Sequence, residues 1–274
     1  MQNIIVAISP CPNDTFIFGA WILGLLPKPS PLKASFVFAD VQELNVAAEQ
    51  DAYDVVKVSA VQAIRLETTH VALKSGGAFG LSAGPKLVVP RGGTDTPLTI
   101  AVPGLKTTAW ELLKAAADWN FEPVEMRYDR IMDAVTSGKA QGGLLIHESA
   151  LAFEQHGLHC CLDLGAWWNT YAEGFPLPLG TILASRRLPC GLRDAVNDHI
   201  RRSIEFAKQK PDHIRPLIRS LAQEMDDTII AKHIHAYVSH LTVEPGREGI
   251  EAMLRLKELM NHPGAFPATG DRIC

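Results

Sequence analysis

Gly142-Gly143-Leu144-Leu145-Ile146-His147-Glu148-Ser149 is the stretch whose reading decides the fold. Its first five residues are small and apolar, the pattern of a short strand buried on both faces, and residues 148–153 read as the helix that follows. A strand feeding a helix is the unit of an α/β sheet. His147 then lies at the carboxyl end of the strand, where open α/β sheets put their ligand crevices. Histidine is the side chain best matched to proton transfer near neutral pH. On this stretch alone, His147 is either a general base or a polar residue satisfied at a strand-to-helix turn.

The same alternation continues on both sides. Residues 4–8, 34–39, 55–59 and 86–90 read as strands. Between them lie helices over 16–25, with Asn13 or Asp14 placed to cap it, over 41–49 and over 60–66. A second set holds strands 98–102, 124–127 and the His147 strand, with helices over 108–118 and 131–137. Residues 181–184 form one more apolar strand, and from Leu192 the chain is mainly helical, with starts near Pro211, Asp226 and Pro245. The fold class is therefore α/β with largely parallel pairing. The order fits an inserted lobe, residues 97–180, between the two halves, 1–96 and 181–274, of a first lobe. Crossings at 90–97 and 181–185 would act as the hinge around a small molecule. One doubly wound domain with helical decoration fits the same pattern.

Bulk composition narrows the function classes. The chain has 274 residues, 47% hydrophobic and 20% charged, with a formal net charge of -4. That is an ordinary globular balance with no basic footprint for nucleic acid. The longest apolar run, residues 16–26, is too short for a membrane span, and no basic segment precedes it as in a secretory signal. The expectation is a cytoplasmic protein with no membrane partner. Cys11, Cys160, Cys161, Cys190 and Cys274 make an odd count with no CxxC, which suggests reduced thiols, not a disulfide frame or zinc site.

Other motifs keep two readings. Pro103-Gly104-Leu105-Lys106-Thr107-Thr108-Ala109 follows a strand and opens a helix, so Thr107 can cap it and the first-turn N–H groups form an anion site. It is equally an ordinary capped helix, and it is not a Walker loop. Residues 75–85 are glycine-rich without GxGxxG, which fits a tight connection beside the cleft. Ser59 either bonds a ligand oxygen or caps the next helix. Trp167 and Trp168 either stack on an aromatic ligand or pack between lobes. His233 and His235 are two apart on a helix and point to different faces, so they make no metal pair, and GxSxG is absent.

Several segments together resemble the 1,4-dihydroxy-6-naphthoate synthase family, lyases of the futalosine route to menaquinone. They are Ser9-Pro10-Cys11-Pro12-Asn13-Asp14-Thr15-Phe16, Asp40-Val41-Gln42-Glu43-Leu44-Asn45, Lys57-Val58-Ser59, Ser75-Gly76-Gly77-Ala78, Val102-Pro103-Gly104 and Thr107-Thr108-Ala109. Arg127-Tyr128-Asp129-Arg130-Ile131, Ile146-His147-Glu148-Ser149, Asp163-Leu164-Gly165-Ala166-Trp167-Trp168 and Leu177-Pro178-Leu179-Gly180 complete the set. The clear departures lie in residues 91–97 and in the helical tail. The resemblance implies a two-lobed, type II periplasmic-binding-protein-like fold with mainly parallel sheets and a cleft site without metal or organic cofactor. It implies cyclic dehypoxanthinylfutalosine as the small-molecule substrate, with 1,4-dihydroxy-6-naphthoate and dihydroxyacetone as products. His147 would be the proton acceptor, and Lys57, Val58, Ser59, Thr107 and Thr108 would contact substrate. The rivals are a non-catalytic solute-binding protein of this fold and the related chorismate-processing dehydratase. Oligomeric state stays open.

Overall fold

In chain order, apolar strands run into helices: β1 (Gln2–Ile8), α1 (Pro12–Ile22), β2 (Leu32–Phe38), α2 (Val41–Glu49), β3 (Val55–Ser59) and α3 (Ala60–Arg65). Three short strands follow, β4 (His70–Ala72), β5 (Ala78–Gly80) and β6 (Lys86–Pro90). The second alternating set is β7 (Thr99–Val102), α4 (Thr108–Ala116), β8 (Glu122–Glu125), α5 (Ile131–Thr136), β9 (Gly142–Leu145) and α6 (Ser149–Ala152). Then come β10 (Leu158–Asp163), α7 (Leu164–Tyr171), β11 (Leu177–Ser185) and α8 (Cys190–Gln209). The last helices are α9 (Pro211–Leu221), α10 (Asp227–Tyr237), α11 (His240–Val243) and α12 (Gly246–Asn261). This computed structural model describes residues 2–26, 32–81, 83–222 and 226–262; Ser82 and Cys274 lie outside them.

Two sheets result. The first has the order β2-β1-β3-β11-β4, with β5 also on β11; the second has β10-β6-β9-β7-β8. Each contains three strands in parallel, β2-β1-β3 and β8-β7-β9, as alternation with helices demands. The remaining pairs, made by β11 with β3, β4 and β5 and by β6 with β9 and β10, are antiparallel. Their sheets are therefore mixed.

Sheet membership moves both expected crossings. β6 pairs with β9 and β10, so the chain has entered the second sheet by Lys86, ahead of the expected 90–97 segment and the 96/97 boundary. β11 is already in the first sheet at Leu177, so the return precedes 181–185. An apolar run announces a buried strand but not its partner, and the partner decides the lobe. The apolar pattern does not announce strands β4, β5 and β10 or helix α7. β4 and β5 are three residues each, and β10 is broken by a register shift between Cys160 and Leu162.

Packing explains the long apolar run after Pro12. Residues Pro12 to Ala20 of α1 are all buried, because the helix is enclosed by the first sheet on one side and α8, α9 and α10 on the other. A helix apolar all round belongs inside. Ile4, Val6, Ile17, Phe18, Ile200 and Ile204 form that core. A second core runs without interruption from α3 through the second sheet to α12, joining Val61, Leu87, Ile100, Leu144, Trp168 and Leu256. Trp168 is thus a packing residue, and Trp167 stacks on Tyr171. Among the described residues no helix is long and apolar enough to cross a membrane.

The glycine pair that opens β9 is a packing requirement. A Cβ on Gly143 would lie 2.7 Å from both Ile131 Cγ2 and Val135 Cγ2 of α5. Gly143→Val should therefore lift α5 from the sheet and cost about 1–3 kcal/mol, as overpacked cores do. Urea unfolding measures this; a loss below ~0.5 kcal/mol would show that α5 yields without strain.

Candidate active site

A pocket opens where strands from both sheets end and helices begin. The first lobe contributes Ser9, Asn13 and Asp14 around the start of α1 and Lys57, Val58 and Ser59 from the end of β3. The second contributes Thr107, Thr108 and Ala109 at the start of α4, and Ile146 and His147 after β9. His233 and Tyr237 of α10 close one side. Lys57, Val58, Ser59, Thr107, Thr108 and His147, the six residues singled out in the sequence, all line this one space.

His147 holds an unusual backbone. Its φ of 57° lies in the left-handed region, which a non-glycine residue adopts only where the surroundings over-determine it. Ser149 Oγ donates to Ile146 O at 2.6 Å and tightens the turn. The Tyr128 ring packs edge-on against the imidazole at 4.9 Å. One edge of the ring faces the cavity, while Nε2 is shut off from solvent and has no hydrogen-bond partner. The reading of His147 as a satisfied turn residue therefore fails. Burial pushes its pKa down to about 4; Lys57 adds to the fall and Asp14 opposes it. The imidazole is neutral at pH 7 and carries a lone pair.

A buried ion pair lines the same space. Lys57 Nζ donates to Asp14 Oδ1 at 2.6 Å and to Gly76 O at 3.2 Å. Asp14 Oδ2 accepts from Ser9 Oγ at 2.7 Å, and Asp14 Oδ1 accepts from Asn13 Nδ2 at 3.1 Å. This corrects the expectation that Asn13 or Asp14 caps α1. The N-cap is Cys11, with no side-chain cap bond, and Pro12 opens the helix. The two polar side chains turn to the cavity because Lys57 needs a counter-charge there. The glycine-rich stretch does lie beside the cleft, its Gly76 carbonyl reaching Lys57.

Ser59 is also not a cap. It occupies the N-cap position of α3 but makes no cap bond. Asn45 holds it instead, accepting from Ser59 N at 2.9 Å and donating from Nδ2 to Ser59 Oγ at 3.0 Å. The serine hydroxyl keeps its own proton to donate. Thr107 does cap α4: its Oγ1 accepts from Trp110 N at 3.2 Å and donates to Gly104 O at 2.8 Å. Thr108 Oγ1 donates to Leu179 O at 3.1 Å. Both threonine hydroxyls are engaged, so the groups α4 offers the cavity are the first-turn N–H groups.

Sequence reasoning missed Asn13 as a lining residue, and with it His233. His233 and Tyr237 stand one helical turn apart on the inner face of α10, and their rings meet edge-on at 4.9 Å. His233 Nε2 lies 2.9 Å from Asn13 Oδ1, and its Nδ1 faces Glu148 Oε2 at 3.6 Å. The phase of His233 against His235 was legible; a partner 220 positions away was not. Among the described residues one set has donors for a metal, Cys11, His147 and Glu148, whose ligand atoms lie within 4.8 Å of one another. Burial and the nearby Glu148 carboxyl keep the Cys11 thiol protonated, its pKa raised well above 9.0. A thiol is a poor ligand beside a thiolate.

Two mixed sheets closing on a pocket at their strand ends define a periplasmic-binding-protein-like protein. A solved Candida albicans protein, CA3427, described as having that generic fold, superposes with a TM-score of 0.67 at 13% identity, over 97% of this chain and 92% of its own. The crystal structure of protein AF1704 from Archaeoglobus fulgidus is nearer, with a TM-score of 0.89 at 32% identity over 94% and 97%. A family profile described as menaquinone biosynthesis matches residues 4–262, and the chain belongs to that family. Relatives named 1,4-dihydroxy-6-naphtoate synthase are 43% identical in Thermus thermophilus, over 93% of both chains, and 36% identical in Streptomyces coelicolor, over 97% of this chain and 95% of that one.

The ion pair sets a stability test. Asp14→Asn leaves a buried ammonium and Lys57→Met a buried carboxylate, so each should cost ~3–5 kcal/mol. The double variant buries neither charge and should fall short of the summed losses by more than about 1 kcal/mol. Denaturant titration of all four proteins gives the coupling; strict additivity would mean the two groups do not compensate each other.

Proposed function

We propose that the chain is a carbon–carbon lyase of menaquinone biosynthesis, converting cyclic dehypoxanthinylfutalosine to 1,4-dihydroxy-6-naphthoate and dihydroxyacetone, with His147 as general base. What carries the reading is the neutral, unpartnered imidazole held in a strained turn at the pocket, in a chain closely related to named naphthoate synthases. The same relatives favour it over the chorismate dehydratase, and the strained base favours it over a passive binder. As a biosynthetic enzyme without a membrane-crossing helix among its described residues, it would act in the cytoplasm.

Cleavage beside a carbonyl needs a proton removed and an oxyanion held. His147 takes the proton through its lone pair. The α4 first turn and the Ser59 hydroxyl offer donors to the carboxylate and to polar oxygens of the substrate, and a helix N-terminus favours negative charge by ~0.3–1 kcal/mol or more. Lys57 and Val58 shape the opposite wall. Aromatisation of the product drives the reaction forward.

Incubation with the cyclic futalosine derivative and mass spectrometry should yield the naphthoate; unchanged ligand would mark a binder, and consumption of chorismate the dehydratase. His147→Ala should lower kcat by on the order of 10²–10⁴ with the fold intact. A folded variant with near-full turnover excludes His147 as the base.

The pH profile gives an independent check. A base works deprotonated, and kcat/KM reports its pKa in the free enzyme. With that pKa pushed down to about 4, kcat/KM should hold its plateau as pH falls through 6.5 and drop only near 4. An acid limb centred at the ordinary histidine value of about 6.5 would contradict the buried, neutral state.

A further inference from the structure

We infer that Asn13 is a substrate-binding residue whose amide N–H is aimed into the pocket, the amide being held by Asp14 at its nitrogen and by His233 at its oxygen. Asn13 stands in the first turn of α1, is only 5% exposed, and lines the cavity. Its two polar ends meet different neighbours, and the chemistry of those neighbours allows one arrangement.

Asp14 is ion-paired with Lys57, and a carboxylate so placed accepts hydrogen bonds and donates none. The Asn13 group 3.1 Å from Asp14 Oδ1 must therefore be the amide nitrogen. The amide oxygen then faces His233 Nε2 at 2.9 Å, and an amide oxygen can only accept, so Nε2 carries a proton. His233 is fully buried on α10, held by the edge of Tyr237, and cannot turn away. Asp14 thus sets the amide, and the imidazole N–H holds it from the other end. A bare Nε2 would demand the flipped amide, with its oxygen against the Asp14 carboxylate.

The lock has a use at the pocket. One amide hydrogen goes to Asp14, and among the described residues no protein acceptor takes the other. Asn13 Nδ2 and Lys57 Nζ converge on the same oxygen, Asp14 Oδ1, so two donors stand side by side in the pocket that His147 also lines. The His147 and His233 rings lie 6.1 Å apart, within the span of one small ligand. The ligand group that fits is a carbonyl or hydroxyl oxygen, or the oxyanion formed from it when a base works on the same molecule. In this scheme Asn13 touches substrate and His233 is a positioning residue acting through it. The catalytic half rests on the reaction proposed above; the orientation half does not.

The test separates them. Nitrogen-15 NMR of the full chain, labelled at histidine and without ligand, reads the protonation of His233 Nε2. A proton on Nε2 is expected, and a bare Nε2 overturns the lock whatever the protein catalyses. Steady-state kinetics then read the ligand contact. Asn13→Ala and His233→Phe should each lower kcat/KM about tenfold or more, the cost of leaving a polar substrate group unpaired. His233→Gln, which keeps a side-chain N–H donor, should recover most of the loss. Values within twofold of wild type for Asn13→Ala and His233→Phe, or no recovery in His233→Gln, would refute the role in binding. Should the wild-type chain fail to turn over the futalosine derivative, the NMR result still decides the lock.

Discussion

Lys57 and Asp14 are charged and almost wholly shut off from solvent, and a charge pair so placed persists only when every remaining polar valence finds a partner. That requirement organises the pocket. Ser9 and Asn13 must reach Asp14, and the Gly76 carbonyl must reach Lys57. The end of β1, the first turn of α1, the end of β3 and the loop before β5 are thereby held in one arrangement. Gly76 serves this with a φ of 98°, and a Cβ there would lie 2.6 Å from Ile182 Cγ1. The apolar core supplies stability, but the pair decides which polar groups line the cavity.

A second constraint closes the lobes along one edge. Gln42 at the start of α2 donates to Glu125 Oε1 at 2.8 Å and accepts from Lys106 N at 3.2 Å, both in the second lobe. Asn45, besides holding Ser59, donates to Lys106 O at 3.2 Å. Gly104 lets the chain pass Gln42 at φ 136°, where a Cβ would meet Gln42 Cδ at 2.4 Å. Asn45, which positions Ser59 in one lobe, therefore also grips the loop that carries Thr107 in the other.

Much of this was legible in the chain. Helix α2 and strands β3 and β6 fall on the residues read for them, and His147 stands at the end of its strand. Local pattern sufficed because these elements are bounded by capping or turn residues, as at Asp40, whose side chain accepts from Gln42 N in a capping box. Illegible were features set by distant partners. The lobe of β6 depends on β9, and the use of Asp14 depends on Lys57, 43 positions on. Ser59 has the composition of a cap, yet Asn45 outbids the helix for its side chain. The use of His233 depends on Asn13, 220 positions before it.

The left-handed backbone of His147 divides what is good for the fold from what the proposed reaction asks of it. A non-glycine residue held there costs on the order of 1–3 kcal/mol, and glycine would adopt the same φ freely. Selection for stability alone would thus favour glycine at this position, while the base proposed here needs a side chain with a usable lone pair. His147→Gly and His147→Ala would then part company. Both delete the imidazole, but the glycine form relaxes the turn, so the more damaging chemical change need not be the more damaging structural one. Under the proposed role, the strain measures how strongly function would hold that residue in place.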